Sequence, residues 1–326
     1  MPARPRRWMA PLLAALAALG LAGPAAAQDY PQRPVRVLVS FPAGGTADIL
    51  ARLVSEGLAR RLGQPFIVEN RAGAGTVIAG QALTRSAPDG YTLLVTTGTT
   101  TSFIPLLHNN PGYTPEQFAG VAMIGRSPLA LDVPANSPFR SVQELVAFGV
   151  ANPNRLNAAT QGAGAISHLM AELFRKSTGL GFTPIHYAGS APGLVATIAG
   201  QVDFYFDGVS TSAPAIQGGR LRGLAVTSEQ RMPNLPDVPT MRELGYPEVT
   251  GYAWYGVHAP AGTPAPIVER LNREINGIIG EREVQDRLLR EGAEVAPMSV
   301  ADFNRLMVED REKWRDVIVP LNIRMD

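Results

Sequence analysis

The sequence predicts an α/β protein made of two similar blocks, each a mostly parallel sheet flanked by helices. Strand-like and helix-like runs alternate through most of the chain, the pattern of βαβ units. A strand, a glycine turn and a helix start occur together twice, at Phe41-Pro42-Ala43-Gly44-Gly45-Thr46-Ala47-Asp48 and at Gln161-Gly162-Ala163-Gly164-Ala165-Ile166-Ser167-His168. The closing stretch is helical and has no such turn.

The elements follow in order. The apolar run 35–41 predicts a buried strand. Ile49, Leu50, Leu53, Val54, Leu58 and Leu62 then mark one side of a helix over 46–62 that stops near Gly63. A short strand is expected at 66–69, then the segment Asn70-Arg71-Ala72-Gly73-Ala74-Gly75 and a helix over 76–86. Pro88-Asp89-Gly90 turns the chain into a strand over 91–96. Thr97-Gly98-Thr99-Thr100-Thr101-Ser102 reads as a polar loop at that strand's carboxyl end.

The second block opens near Ser127 with a strand at 129–133. Ser141 caps a helix over 142–151. A strand at 156–160 leads into the second glycine turn, and Leu169, Met170, Leu173 and Phe174 mark the apolar side of the next helix. A strand at 183–187, a helix at 190–199, a strand at 202–206 ending beside Asp207, and a strand at 224–227 complete the block. A connector holding Pro233, Pro236, Pro239 and Pro247 leads to Tyr252, Trp254 and Tyr255. Helices over 266–279, 283–291 and 300–318 are expected to pack back on the first block.

Composition and the chain ends narrow the function. Arg4, Arg6 and Arg7, an apolar core from Met9 to Leu21 and Ala25-Ala26-Ala27 predict a secretory signal peptide over residues 1–27, cleaved before Gln28. The apolar core is too short to span a bilayer comfortably, which weighs against a membrane anchor. The chain has no cysteine, so its fold needs no disulfide and no lipid can be attached to one. Without the signal peptide the charge is 26 basic against 28 acidic residues, or −2, with no basic cluster to suit nucleic acid. The mature chain, expected outside the cytoplasm, has the length of two domains.

A glycine turn between strand and helix leaves N–H groups unpaired at a positive dipole end, which suits a small anion. Two such turns facing one cleft would direct two helix N-termini at one ligand. Each terminus is worth about 0.3–1 kcal/mol when exposed and up to roughly 2 when partly buried. Hydrogen bonds to a charged group add about 1.5–3 kcal/mol each, so a carboxylate needs no arginine.

These residues resemble the Bug family of extracytoplasmic receptors, the TctC-like substrate-binding proteins of tripartite tricarboxylate transporters. The resemblance rests on Tyr30-Pro31-Gln32-Arg33-Pro34-Val35-Arg36, on Pro42-Ala43-Gly44-Gly45-Thr46-Ala47-Asp48-Ile49-Leu50-Ala51-Arg52 and on Asn70-Arg71-Ala72-Gly73-Ala74-Gly75. It continues through His168-Leu169 with Glu172-Leu173-Phe174, Tyr187-Ala188-Gly189-Ser190-Ala191-Pro192, Gly200-Gln201-Val202-Asp203 and Leu235-Pro236-Asp237-Val238-Pro239-Thr240. Trp254-Tyr255-Gly256-Val257 and Ala259-Pro260-Ala261-Gly262-Thr263-Pro264 complete it, so it covers essentially all of the mature chain.

The resemblance implies a two-lobed periplasmic-binding-protein fold of type II, with lobe 1 formed by 28–126 and 251–326 and lobe 2 by 127–250. It implies crossovers near 126–130 and 248–252 and a cleft that closes on a small carboxylate held by main-chain groups and bridging waters. Carried over, the ligand-binding residues are Phe41, Ala43, Gly45, Thr46, Asp48, Thr97, Gly98 and Thr99 from lobe 1, with Gln161, Gly162, Gly164, Ala165, His168 and Asp207 from lobe 2. The expected partners are a mono-, di- or tricarboxylate, an amino acid or an aromatic acid, and a polytopic membrane permease. No cofactor, metal or nucleic acid is expected, and the chain is expected to be monomeric. Ala165 stands where the family commonly has Ser or Thr, and Ala188 where it often has Lys. Both make the lobe 2 side less polar and imply a less charged distal end on the ligand.

Other readings stay open at this level. Asp48 suits capping of the helix start and pairing with Arg52 as well as ligand contact. His168 suits structural hydrogen bonding, Asp207 a turn before Gly208, and Trp254 and Tyr255 core packing. An enzyme is disfavoured: there is no Gly-x-Ser-x-Gly elbow, and neither of the two lysines, Lys176 and Lys313, lies in a phosphate loop. His168 and Glu172 have no third ligand at metal-binding spacing. A sensor that signals rather than feeds a transporter would share every binding feature.

Overall fold

The computed structural model describes residues 30–290 and 292–321, and the expected signal peptide lies outside them. Its strands are β1 (Val35–Val39), β2 (Phe66–Asn70), β3 (Thr92–Thr97), β4 (Phe118–Pro134), β5 (Leu156–Thr160), β6 (Phe182–His186), β7 (Phe204–Gly208), β8 (Leu221–Val226), β9 (Tyr252–Pro260) and β10 (Glu294–Val295). The helices are α1 (Thr46–Leu62), α2 (Val77–Thr84), α3 (Ile104–Leu107), α4 (Val142–Ala151), α5 (Ile166–Thr178), α6 (Ser190–Ile198), α7 (Val209–Gln217), α8 (Ala265–Ile279), α9 (Arg282–Arg290) and α10 (Val300–Leu321).

Two lobes share one strand. In the first, β2, β1 and β3 run parallel; in the second, β6, β5 and β7 do. These parallel strands carry the glycine turns at their carboxyl ends. The other strands pair antiparallel and complete each sheet. Strand β4 pairs residues 118–128 with β9 in lobe 1, then residues 129–134 with β7 and β8 in lobe 2. The return path enters β9 at Tyr252, opposite Pro128, and the Thr227 hydroxyl ties it down by donating to the Gly251 carbonyl at 2.7 Å.

Helix α1 forms where the sequence places it. Leu50, Leu53, Val54 and Leu58 are buried against the lobe 1 core, each worth about 1.5–3 kcal/mol. Gly63 ends the helix with φ 71°, and its N–H returns to the Ala59 carbonyl. The acidic Asp48 lies in the first turn and Arg60 and Arg61 in the last, each at the favourable dipole end.

Several elements depart from expectation, among them α7, a helix over Val209–Gln217 where none is expected. The polar loop over 97–102 is instead a π-helical turn, Thr99–Phe103, that runs into α3. Threonines are weak helix formers, but here the Thr100 hydroxyl bonds with those of Thr96 and Thr76, and the Tyr113 hydroxyl donates to the Thr100 carbonyl at 2.9 Å. Strand β4 extends far to the N-terminal side of the expected 129–133. Its first part is buried on both faces and broken by Gly120, Gly125 and Pro128, so it shows no alternation. Strand β9 falls where only aromatic packing is expected, for the same reason.

Candidate functional site

The carboxyl ends of β1, β3, β5, β6 and β7 converge between the lobes, where ligands of open α/β sheets sit. The lobes touch across this cleft. The Thr46 and Ser210 hydroxyls are 2.5 Å apart, and the Pro42 ring packs on Gly189. A side chain at Gly189 would meet that ring at 2.7 Å, and φ of 144° excludes most residues independently.

The cleft holds a narrow space and a wider one. The first is only about 10 Å³, room for one water or one carboxylate oxygen, and is lined by Phe41, Gly45, Thr46, Ala47, Thr97, Gln161, Ser190 and Tyr255. The second is about 240 Å³ and lies among Ser40, Phe41, residues 73–76, residues 161–163 and residues 186–188. Phe41 and Gln161 border both. Among the described residues, no lysine or arginine lines either space.

The lobe 1 turn is built by side chains that never reach the ligand space. Asp48 is buried and accepts the Gly44 N–H at 3.1 Å, the Arg52 Nε–H at 3.0 Å and the Asn70 Nδ2–H at 3.0 Å. Asn70 also donates to the Phe41 carbonyl. Burial pushes the Asp48 carboxyl up, but Arg52, Asn70 and the Gly44 N–H outweigh it and hold it below the usual carboxylate range. Asp48 therefore staples the turn. The N–H groups of Gly45, Thr46 and Ala47 find no acceptor among the described residues, as the start of a helix requires, and all three residues border the narrow space.

The expected site residues separate into groups. Phe41, Gly45, Thr46, Thr97 and Gln161 border the narrow space, and Gly162 borders the wider one. Ala43 is exposed at the tip of its turn and borders neither. Gly98 faces away from the cleft: a Cβ there would meet Asp310 Oδ2 at 2.7 Å and Trp254 Nε1 at 3.0 Å. Thr99 is buried beside it, its hydroxyl unpaired among the described residues.

The second glycine turn spends most of its N–H groups internally. Gln161 N–H donates to the Ser167 hydroxyl at 2.7 Å, Gly164 N–H to His168 Nδ1 at 3.0 Å and Ala165 N–H to the Gly162 carbonyl at 3.2 Å. His168 accepts at Nδ1, which leaves its proton on Nε2, 3.6 Å from Glu172. Gly164, Ala165 and His168 border neither space.

Asp207 is fully buried one layer below. It accepts from Ser190 at 2.7 Å, Thr211 at 2.7 Å and Gln161 at 3.0 Å. Burial pushes its carboxyl up, against the pull of those donors. Its effect is to fix Gln161 and Ser190, which do border the narrow space.

Sequence reasoning missed several contributors, Ala47, Ser40, Ala163 and residues 186–188 among them. Ser190, at the start of α6, brings a third strand, glycine and helix junction to the cleft; Gly189 before it carried the same signal as the other two turns. Tyr255 comes from β9, whose strand character was hidden. Residues 73–76 were marked as a glycine segment but not as part of the site.

Comparison with known proteins agrees with the two-lobed fold. Residues 50–323 match the family model described as "Tripartite tricarboxylate transporter family receptor". Protein BugT of Bordetella pertussis is 35% identical over 305 residues, covering 93% of this chain and 94% of BugT. Among solved structures, R. palustris Rpa4515 with adipate superposes with a TM-score of 0.88 at 34% identity, covering 90% of this chain and 99% of that one. MatC (Rpa3494) from Rhodopseudomonas palustris with bound malate does so with a TM-score of 0.84 at 32% identity, covering 89% and 100%.

Proposed function

The chain belongs to the tripartite tricarboxylate transporter receptor family, and from that premise we propose that it is a periplasmic receptor that captures one small organic acid between its lobes. The observation that carries the proposal is the row of N–H groups at Gly45, Thr46 and Ala47, unpaired among the described residues, at the start of α1 and at the edge of a space the size of an oxygen atom. A carboxylate oxygen there gains charge-assisted hydrogen bonds and the positive end of the helix dipole. Adipate and malate in two relatives fit the same class of ligand.

Binding proceeds in two stages. The acid first docks on the lobe 1 turn. Lobe 2 then closes by flexing where β4 and β9 pair, around Arg126–Pro128 and Tyr252–Trp254, and brings Gln161 and Ser190 against the acid. Closure is favoured by as much as the ligand binds the closed state better than the open one. We place the lobe boundary at this crossover. The closed receptor hands its acid unchanged to a membrane permease, which a pull-down with permease subunits and a turnover assay on a carboxylate mixture test.

Gly45 supplies the sharpest test of the site. Its φ of −88° suits any residue, and a Cβ would lie at 3.6 Å from Ser190 Cβ, an ordinary contact. Gly45→Ala is expected to bind acids within a few-fold of the parent. Gly45→Val places branched methyls against Ser190, blocks closure and weakens binding at least about tenfold, with melting temperature little changed. A thermal-shift panel of mono-, di- and tricarboxylates, amino acids and aromatic acids identifies the acid, and calorimetry on both variants checks the site. Equal affinity in Gly45→Val and parent contradicts the assignment.

A further inference from the structure

Two imidazoles stack at the lobe 2 side of the wider space. The His168 and His186 ring centroids are 5.0 Å apart, with the rings inclined at 74°. His168 is buried on α5, whereas His186 is exposed at the carboxyl end of β6 and borders the 240 Å³ space. Their hydrogen-bond partners differ in kind. His168 Nδ1 accepts the Gly164 N–H at 3.0 Å, and a backbone N–H cannot accept in return, so a proton added there would break the bond. His186 Nδ1 lies 2.7 Å from the Thr160 hydroxyl, which can donate to a neutral ring or accept from a protonated one. Thr160 Oγ1 has two lone pairs, enough for the Gly162 N–H at 3.3 Å and an imidazolium N–H together. His186 can therefore gain or lose a proton without losing this bond.

The ionisable groups around His186 are few. On α5 stand His168 and Glu172, with Glu172 3.6 Å from His168 Nε2 and 3.4 Å from Arg175 Nη1. Tyr187 follows His186 in the chain. Strand β6 is the outermost of lobe 2, and its neighbour β5 places the neutral Thr160 opposite His186. Across the space, Ser40, Phe41 and residues 73–76 bring no ionisable side chain. Among the described residues lining the space, His186 alone can become positive. Burial and His168 hold its imidazole below the ordinary value of 6.5.

We infer that His186 ties the receptor's affinity to pH: as an imidazolium it attracts an anionic acid held in the cleft, and as a neutral ring it does not. This rests on the reading that the cleft binds an organic acid with a carboxylate at Gly45–Ala47. A bound anion favours the charged ring, so His186 titrates at a higher pH in the complex than in the free receptor, and binding takes up protons. The added affinity is fully present below the free receptor's value, itself under 6.5, and is lost as pH rises through that of the complex.

The test is calorimetry near pH 5.5 and near pH 8 on parent, His186→Gln and His186→Lys. The probes are acetate, succinate, adipate, malate, citrate, glutamate and benzoate, and the one with the largest thermal shift is titrated. The ring is exposed, so both variants are expected to fold. His186→Gln is neutral at both pH values and keeps a polar group for Thr160, and the acid's own titration cancels in the ratio of parent to variant affinity. That ratio is expected to be about three- to tenfold higher near pH 5.5 than near pH 8. His186→Lys stays charged at both and is expected to bind more tightly than His186→Gln at both. A ratio that does not change with pH, or a His186→Lys no tighter than His186→Gln near pH 8, overturns the inference and leaves the receptor reading intact. A parent that binds none of the probes overturns both.

Discussion

Asp48 and His258 illustrate opposite uses of a buried ionisable group. Asp48 stays charged because its neighbours are donors, and it shapes the turn that presents Gly45. Its lowered carboxyl contributes stability above the ordinary carboxylate range and loses it only as pH falls through the depressed value. His258 is fully buried among Phe118, Trp254 and Phe303, with ring centroids 6.3, 6.1 and 5.4 Å away. Burial lowers its pKa to about 4. The unfolded chain binds its proton near pH 6.5 and the folded chain does not, so stability falls as pH drops from about 6.5 to 4 and no further below that. The cost is on the order of 3 kcal/mol. In His258→Phe this contribution disappears: the stability difference between parent and variant, from urea melts, is expected to shift by that amount in the variant's favour between pH 7 and pH 4. A constant difference contradicts the assignment.

Among the elements, those with strong local signals were legible and those set by tertiary contact were not. Helix α1 followed from its apolar spacing and from Gly63, and α4 from the Ser141 cap, whose hydroxyl accepts the Glu144 N–H at 3.2 Å. The π turn after β3 was not legible, because a threonine run favours strand or loop and only the hydroxyl chain and Tyr113 reverse that preference. The site divides in the same way. Phe41, Gly45 and Thr46 could be read from the glycine turn. The roles of Gln161 and Ser190 depend on Asp207, which the fold alone brings beside them. Gly98 was read as a cleft residue, but it allows the π turn to approach α10, where Trp254 Nε1–H donates to Asp310 Oδ2 at 3.0 Å. Gly98→Ala forces a methyl into that contact and is expected to cost about 1–3 kcal/mol of stability in denaturant melts. An unchanged midpoint would show that the π turn has slack.

At the scale of the whole molecule, the two lobes form one device because β4 belongs to both sheets and β9 returns beside it. The start of α1 in lobe 1 and the starts of α6 and α7 in lobe 2 meet at the cleft, as the contacts of Thr46 with Ser210 and of Pro42 with Gly189 show. A rival cavity of about 460 Å³ lies outside the cleft, among Met123, Trp254, Met298, Leu306 and Trp314 near the crossover. The central claim is that the acid's carboxylate is held at the start of α1. A crystal structure of the protein with the acid that gives the largest thermal shift tests this most directly. The expected result is a carboxylate oxygen within about 3.2 Å of the Gly45, Thr46 or Ala47 nitrogen, with both lobes in contact with the ligand. Density for the acid in the crossover cavity, with the α1 turn left to solvent, would contradict it.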